Sequence, residues 1–223
     1  MRSFDEIFAI AAERHGGADE LAAKLTPPKA AEELAATPDD RWLAAMARGV
    51  FQAGFSWKVI EAKWPGFETA FKGFDVGACA MMDADWFDAL VADTAIVRHA
   101  AKIRSVQTNA VFLGDFARSH GGGGAGAAVA NWPSDDNLGL RALLEPQGAR
   151  LGGTTGQYML RFMGKDSFIL SRDVVGRLIA EGVVDKPPTS KGAMAAVQGA
   201  FNEWSAQSGR SLTEISRVLA LSL

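Results

Sequence analysis

The sequence predicts an all-α fold. Apolar residues recur with a helical period along nearly the whole chain, and glycine, proline and cap-type residues punctuate that period at short intervals. The one run that reads as a strand, Ser167-Phe168-Ile169-Leu170, is too short to seed a sheet. The first element puts Phe4, Ile7, Phe8 and Ala11 on one face and ends near His15 and Gly16-Gly17. Pro27-Pro28 then breaks the chain. Thr37 is placed to cap a helix with Pro38 in its first turn and Asp40 three residues on, the arrangement of a capping box. That helix carries Trp42, Leu43, Met46 and Val50 as one stripe, and Gly54 ends it. Ser56 caps the next helix, SWKVIEAKW, which Pro65-Gly66 interrupts. Asp83 opens a helix with Trp86, Phe87 and Leu90 inward. A long helix from Ala100 to Arg118 buries Ile103, Val106, Ala110, Leu113 and Phe116.

Residues 120–126 read HGGGGAG, which matches GxGxxG at Gly121, Gly123 and Gly126. A dinucleotide site needs a strand before the glycines; here a helix precedes them, and the segment is expected to be a flexible loop. Helices over 137–144, 157–163, 174–181, 191–205 and 213–221 complete the set, with a tight glycine-containing turn from Gly148 to Gly156.

Composition bounds what this helical chain can be. The 223 residues are 48% hydrophobic and 22% charged, with a net charge of −3. These values suit one large domain or two small ones with a real core, and no broad basic face is advertised. A single cysteine, Cys79, excludes a disulfide framework and a zinc site built from several thiolates. No apolar stretch approaches the ~20 residues of a membrane helix, and the N-terminus lacks a secretory cleavage site. A cytoplasmic protein without a membrane partner is expected.

Two stretches go beyond generic helix. The first joins Phe51-Gln52-Ala53-Gly54-Phe55-Ser56-Trp57 to Phe74-Asp75, to Ile96-Val97-Arg98-His99-Ala100-Ala101-Lys102-Ile103 and to Asn109-Ala110. The second is Gly153-Thr154-Thr155-Gly156-Gln157-Tyr158, with Arg172-Asp173-Val174-Val175 after it. Together they resemble the 3-methyladenine DNA glycosylase I family, which reads QAG-hydrophobic-SW, FD, IxRHxxKI, NA and GTT-x-x-Y at matching spacing. That family belongs to the helix–hairpin–helix DNA glycosylases. The resemblance implies that fold over 1–223, as one compact helical domain or as two helical lobes with the base pocket between them.

The resemblance also implies roles. Gly153, Thr154, Thr155 and Gly156 would form the hairpin that offers backbone N–H groups to a DNA phosphate; small residues let bare backbone approach an anion. The alternative is an ordinary helix C-cap turn using Gly152 or Gly153. Phe55, on an inter-helix turn, would be the wedge that fills the gap left by a flipped nucleotide, or else a core anchor. Trp57 would wall the base pocket, where an electron-rich ring suits a cationic methylated adenine, or else pack in the core. Phe51, Gln52 and Tyr158 are candidates for the same pocket, Gln52 offering both a donor and an acceptor. Asp173 would stabilise positive charge developing on the sugar, with Asp166 as the alternative carboxylate; the simpler role for Asp173 is the N-cap of the following helix. The basic run Arg98, His99, Lys102 and Arg104 would contact phosphates or be a solvated face, and a structural role is expected for Arg98 and Lys102, holding the domain together through Asp75 or Asp93. No lysine sits where the superfamily forms a Schiff base, which implies a monofunctional enzyme acting as a monomer on damaged double-stranded DNA.

The sequence departs from the family pattern in three places. Gly49 stands where the family carries a pocket glutamate. The family ties its termini together with a zinc held by cysteines and histidines; here Cys79 is mid-chain and only His15 aligns with a ligand, so no zinc is expected, and no cofactor beyond a monovalent cation at the hairpin. Residues 187–223 form extra helices. The loss at Gly49 favours the alternative of a non-catalytic damaged-DNA-binding protein of glycosylase fold. A protein-interaction domain is the third reading, and salt-dependent DNA binding separates it from the other two.

Overall fold

The computed structural model describes residues 1–120 and 122–223. Among them the regular structure is all-α. In chain order the helices are α1 (Phe4–Arg14), α2 (Ala18–Ala22), α3 (Ala31–Ala35), α4 (Asp39–Gln52), α5 (Trp57–Ala70), α6 (Val76–Ala80), α7 (Ala84–Ala92), α8 (Ala100–Ser119), α9 (Gly124–Asn131), α10 (Asn137–Gln147), α11 (Thr154–Met163), α12 (Arg172–Ala180), α13 (Lys191–Ser208) and α14 (Leu212–Leu221). Contacts divide the chain into two units: residues 1–29, 132–140 and 164–223 form the first, and residues 30–131 and 141–163 the second.

The first unit is built on α1, α12, α13 and α14. Phe4 and Ile7 of α1, Leu178 of α12, Phe201 and Trp204 of α13 and Ile215 of α14 share one apolar core. Phe168 and Phe201 stack there at 4.3 Å between centroids. Serines start most of these helices: Ser3 and Ser211 each form a capping box, with Glu6 and Glu214, and Ser190 accepts from the Ala193 N–H at the start of α13. Near the two ends of the chain, Arg2 and Arg177 both meet Glu181, at 2.8 and 3.1 Å, and the Arg177 Nε donates to Ser222 Oγ at 2.8 Å. The segment read as strand-like forms no strand; the Ser167 N–H donates to Thr213 Oγ1 at 3.2 Å and the Ile169 N–H to Ser216 Oγ at 3.1 Å.

The second unit packs α4 against α8, and Trp42, Leu43, Met46 and Val50 of the first and Ile103, Val106 and Leu113 of the second are buried. A run of stacked rings, Trp64, Phe67, Phe71 and Phe74, fills the space beside it, with Phe67 and Phe71 tilted only 7° apart. This stack explains one correction: α5 does not stop at Pro65-Gly66 but runs through to Ala70. Proline there forfeits a helix hydrogen bond at a cost of about 3 kcal/mol, and burial of Phe67 and Phe71 one turn apart offsets it.

Three further expectations change. Thr37 does not cap α4; its hydroxyl donates to the Glu33 carbonyl at 3.2 Å, closing α3, and Pro38 takes the N-cap place without a side-chain bond. Of the glycine segment expected to be a loop, Gly121 lies outside the described residues, and Gly124 already opens α9. Gly126 is buried in that helix because the end of α3 passes close beneath: a Cβ there would sit 2.8 and 2.9 Å from the Leu34 and Ala35 carbonyl oxygens. Finally, α11 begins at Thr154, so Thr154, Thr155 and Gly156 form its first turn rather than the preceding loop.

Candidate functional site

A cavity of about 270 Å³ opens between α4, the start of α5 and α11, all within the second unit. It lies near the lower size limit of small-molecule sites, about 300 Å³. Arg48, Gly49 and Gln52 line it from α4, Trp57 from α5, and Thr155, Tyr158 and Phe162 from α11. Helical geometry selects these residues: Arg48 and Gln52 are four apart, as are Tyr158 and Phe162, so each pair shares one face.

Three rings form the apolar wall. Trp57 meets Tyr158 edge-on at 6.4 Å and 89°, and Phe162 edge-on at 5.9 Å and 81°. Tyr158 and Phe162 lie 5.8 Å apart. Trp57 is 49% exposed and Phe162 60% exposed, so this wall is an open aromatic surface and not core. Such a surface stacks flat rings and attracts cations through its π faces.

The polar wall is Gln52 and Arg48. Gln52 is 8% exposed, and its Nε2 donates to Glu61 Oε1 at 3.0 Å. Arg48 pairs with Glu61 Oε2 at 3.6 Å and lies 4.1 Å from the centroid of Trp64. Gly49 sits where α4 crosses α11; a Cβ there would lie 3.4 Å from Thr155 Cγ2.

Of the expected pocket residues, Gln52, Trp57 and Tyr158 come together. Phe51 does not join them: it is fully buried, edge-on to Phe67 at 4.6 Å, and is not among the lining residues. Its ring is taken up by the core, packed against Phe67.

Beside the cavity, the 53–56 turn carries Phe55, 39% exposed. Lys102, from the first turn of α8, holds this turn. Its Nζ donates to the carbonyls of Val50, Phe51 and Ala53 at 2.8, 3.3 and 2.5 Å, closing the open C-terminus of α4. The same ammonium lies 4.6 Å from the Phe55 ring centroid, and His99 meets that ring edge-on at 6.4 Å. Burial pushes the Lys102 pKa down, and the nearby Arg150 guanidinium adds to the effect. Lys102 thus ties the unit together through backbone carbonyls, not through Asp75 or Asp93, whose carboxylates accept from the N–H groups of Ala78 and Ala95.

The turn between α10 and α11 is pinned by Asn109, fully buried in α8. Its Nδ2 donates to the Ala149 carbonyl at 3.1 Å, and the Ala149 N–H donates to its Oδ1 at 2.7 Å. Arg150 adopts φ +63° and Gly153 also φ +63°, the left-handed conformation that only glycine takes freely. Gly156 is required by close approach, because a Cβ would lie 2.6 Å from the Leu151 carbonyl oxygen. The Gly156 N–H already donates to that oxygen at 3.0 Å. Of the four expected phosphate-binding positions, Gly153 and Thr154 are exposed at the start of α11, Thr155 faces the cavity and Gly156 is buried.

Asp173 belongs to the first unit, in the first turn of α12, with its side chain exposed. It is not the N-cap; Ser171 fills that place and accepts from the Val174 N–H at 3.3 Å. Asp166 is engaged at the start of α14, accepting from the Thr213 N–H at 2.9 Å.

Comparison with known proteins finds a family resemblance over part of the chain. Residues 36–122 match the methyladenine glycosylase family model. The resemblance read over Phe51 to Ala110 falls within that stretch. The matched segment includes Arg48, Gly49, Gln52, Phe55, Trp57, Lys102 and Asn109, and ends before α10 and α11. A search of the solved structures returns the crystal structure of 3-methyladenine DNA glycosylase I at 23% identity and a TM-score of 0.48, with 62% of this chain and 80% of that chain covered. No curated protein matches. Among the described residues no helix is long and apolar enough to cross a membrane.

Sequence reasoning missed Arg48, Glu61 and Phe162 as site residues. Arg48 and Phe162 are readable afterwards from the four-residue spacing to Gln52 and Tyr158. Glu61 is not, because its approach to Gln52 depends on how α5 folds back beside α4.

Proposed function

We propose that this protein is a DNA glycosylase that releases an alkylated base, 3-methyladenine first among them, from damaged double-stranded DNA. The aromatic wall of Trp57, Tyr158 and Phe162 is the single observation that carries the reading. A 3-methylated adenine is cationic while attached to its sugar, and an edge-linked set of rings suits a flat cation. Arg48 opposes such a ligand little, because its charge is balanced by Glu61. The family match over residues 36–122 supports the same substrate class.

In this reading the base leaves the duplex and enters the cavity, while Phe55 takes the vacated place in the stack. Lys102, His99 and Arg150 make the surroundings of Phe55 favourable to a phosphate backbone, and the free N–H groups at the start of α11, at Thr154 and Thr155, offer a second anion contact. A monovalent cation at the turn would rest on carbonyls such as that of Leu151, which also accepts from Gly156. Breaking the N-glycosidic bond builds positive charge on the sugar, and the Asp173 carboxylate is the group we assign to stabilise it and to orient water. A methylated purine is a good leaving group and needs little help from a general acid. Gly49 supports a second reading, recognition of damaged DNA without chemistry, because the wall lacks a carboxylate at that position.

The test is chromatography of bases released from methylated duplex DNA by the wild type and by Asp173→Asn. The proposal expects 3-methyladenine from the wild type and release at least about a hundredfold slower from the variant. Release unchanged in the variant overturns the role of Asp173, and no release of any methylated base by the wild type favours the DNA-binding reading.

A further inference from the structure

We propose that Glu61 fixes the Gln52 amide so that the cavity presents an acceptor at this wall, selecting a purine with an amino group there over one with an oxo group. The inference rests on reading the cavity as a base pocket. A free glutamine amide offers two N–H donors at one end and a carbonyl acceptor at the other, and it can turn over to suit either edge of a base. Gln52 lacks that freedom. It is 8% exposed, and its Nε2 donates to Glu61 Oε1 at 3.0 Å. A carboxylate only accepts, so turning the amide over would set the Gln52 carbonyl oxygen against a carboxylate oxygen. That exchange replaces a charge-assisted hydrogen bond with a repulsion.

Glu61 is itself braced. Arg48 Nη1 lies 3.6 Å from its Oε2, and the Arg48 guanidinium rests 4.1 Å from the centroid of Trp64. Among the described residues nothing donates to Gln52 Oε1, which leaves that oxygen for a ligand in the space Gln52 lines. Glu61 is not a lining residue; it acts through Gln52 and is a positioning residue. The wall thereby supplies, by orientation of a neutral amide, an acceptor on the face of α4 where Gly49 brings no side chain. A base with an amino group donates to Gln52 Oε1. A base with an oxo group at the same place meets two oxygens face to face, and the buried acceptor stays unpaired.

The experiment is equilibrium binding of 3-methyladenine and 3-methylhypoxanthine to the whole protein by isothermal titration calorimetry. The two bases share ring and methyl group and differ in amino against oxo at one carbon. We expect the wild type to favour the amino base by about tenfold or more. In Glu61→Gln the partner can offer either nitrogen or oxygen, the Gln52 amide is free to turn, and the preference should fall to about threefold or less while the amino base still binds. Gln52→Leu, checked for fold by circular dichroism, should lose the preference by a different route. Equal binding by the wild type, preference for the oxo base, or an unchanged ratio in Glu61→Gln overturns the inference and leaves the base-pocket reading intact. Absence of saturable binding of either base overturns the pocket reading and the inference with it.

Discussion

Asn109 and Ala149 hold each other by two hydrogen bonds, the side-chain amide of the first donating to the carbonyl of the second at 3.1 Å and accepting from its N–H at 2.7 Å. A buried side chain on α8 thus replaces the partner strand or helix that a turn lacks, and it sets the turn from which α11 carries Tyr158 and Phe162 to the cavity. Asn109→Ala should lower unfolding stability by about 2–4 kcal/mol, because it strands both backbone groups of Ala149 next to a small void. Urea unfolding of the variant measures this. A loss below about 0.5 kcal/mol would show that water replaces the amide and that the pin is dispensable.

Glu181 is the acid whose loss should be felt most in the first unit. Burial pushes its carboxyl up, but hydrogen bonds from the Arg2 backbone, the Arg2 guanidinium and Arg177 outweigh burial and hold the pKa below the ordinary 4.5. A depressed carboxyl stabilises the fold above its unfolded pKa, and the contribution is lost as pH falls through the folded value. Glu181→Gln should therefore cost about 3 kcal/mol at neutral pH, since it removes the charge that balances the buried Arg177 guanidinium. The gap to the wild type should narrow below pH 4.5. Unfolding curves of both proteins across the acid range check the sign.

The positions of α1, α4, α7 and α8 were legible in the sequence because their apolar stripes are long and their period is clear. Elsewhere tertiary packing overrode local signals. Pro65 reads as a stop, yet the stacking of Phe67 on Phe71 carries α5 past it. Thr37 reads as a cap for α4, yet its hydroxyl serves α3, the helix before it. Gly124 to Gly126 read as a loop, yet the close passage of α3 requires the missing side chain within α9. In the site, the family resemblance put Gln52, Trp57 and Tyr158 in one pocket, and the structure lines one cavity with all three. The resemblance assigned Phe51 to the same wall although that ring packs on Phe67 in the core, and it gave no sign of Glu61, whose contact with Gln52 is tertiary.

Gly49 offers a stability test with a defined sign. Glycine inside a helix is destabilising by about 0.5–1 kcal/mol relative to alanine. The added methyl of Gly49→Ala would meet Thr155 Cγ2 at 3.4 Å, a contact the threonine side chain can accept. The variant should be more stable by up to about 1 kcal/mol and unchanged in fold. A lower melting temperature would mean that α4 and α11 tolerate no added atom at their crossing.

Cys79 supplies an alkaline test. It is fully buried, and burial, with the nearby Asp75 adding to it, pushes its thiol up to about 12 from 9.0. Above pH 9 the unfolded chain therefore releases a proton that the folded chain keeps, so stability falls as pH rises from 9 toward 12. Cys79→Ala should make the stability curve flatter in that range. The native thiol should also resist alkylation at pH 8 until denaturant is added, because the thiolate is the reactive form.

The central claim is that the cavity walled by Trp57, Tyr158 and Phe162 receives the base. Single-turnover release of 3-methyladenine from methylated duplex DNA by Trp57→Ala tests it most directly, because Trp57 is half exposed and its loss should leave the circular dichroism and unfolding midpoint near those of the wild type. Loss of a stacking wall worth about 1–3 kcal/mol predicts release slower by about tenfold to a hundredfold at subsaturating protein. Release at the wild-type rate from the folded variant would contradict the claim and move the base-binding site elsewhere on the molecule.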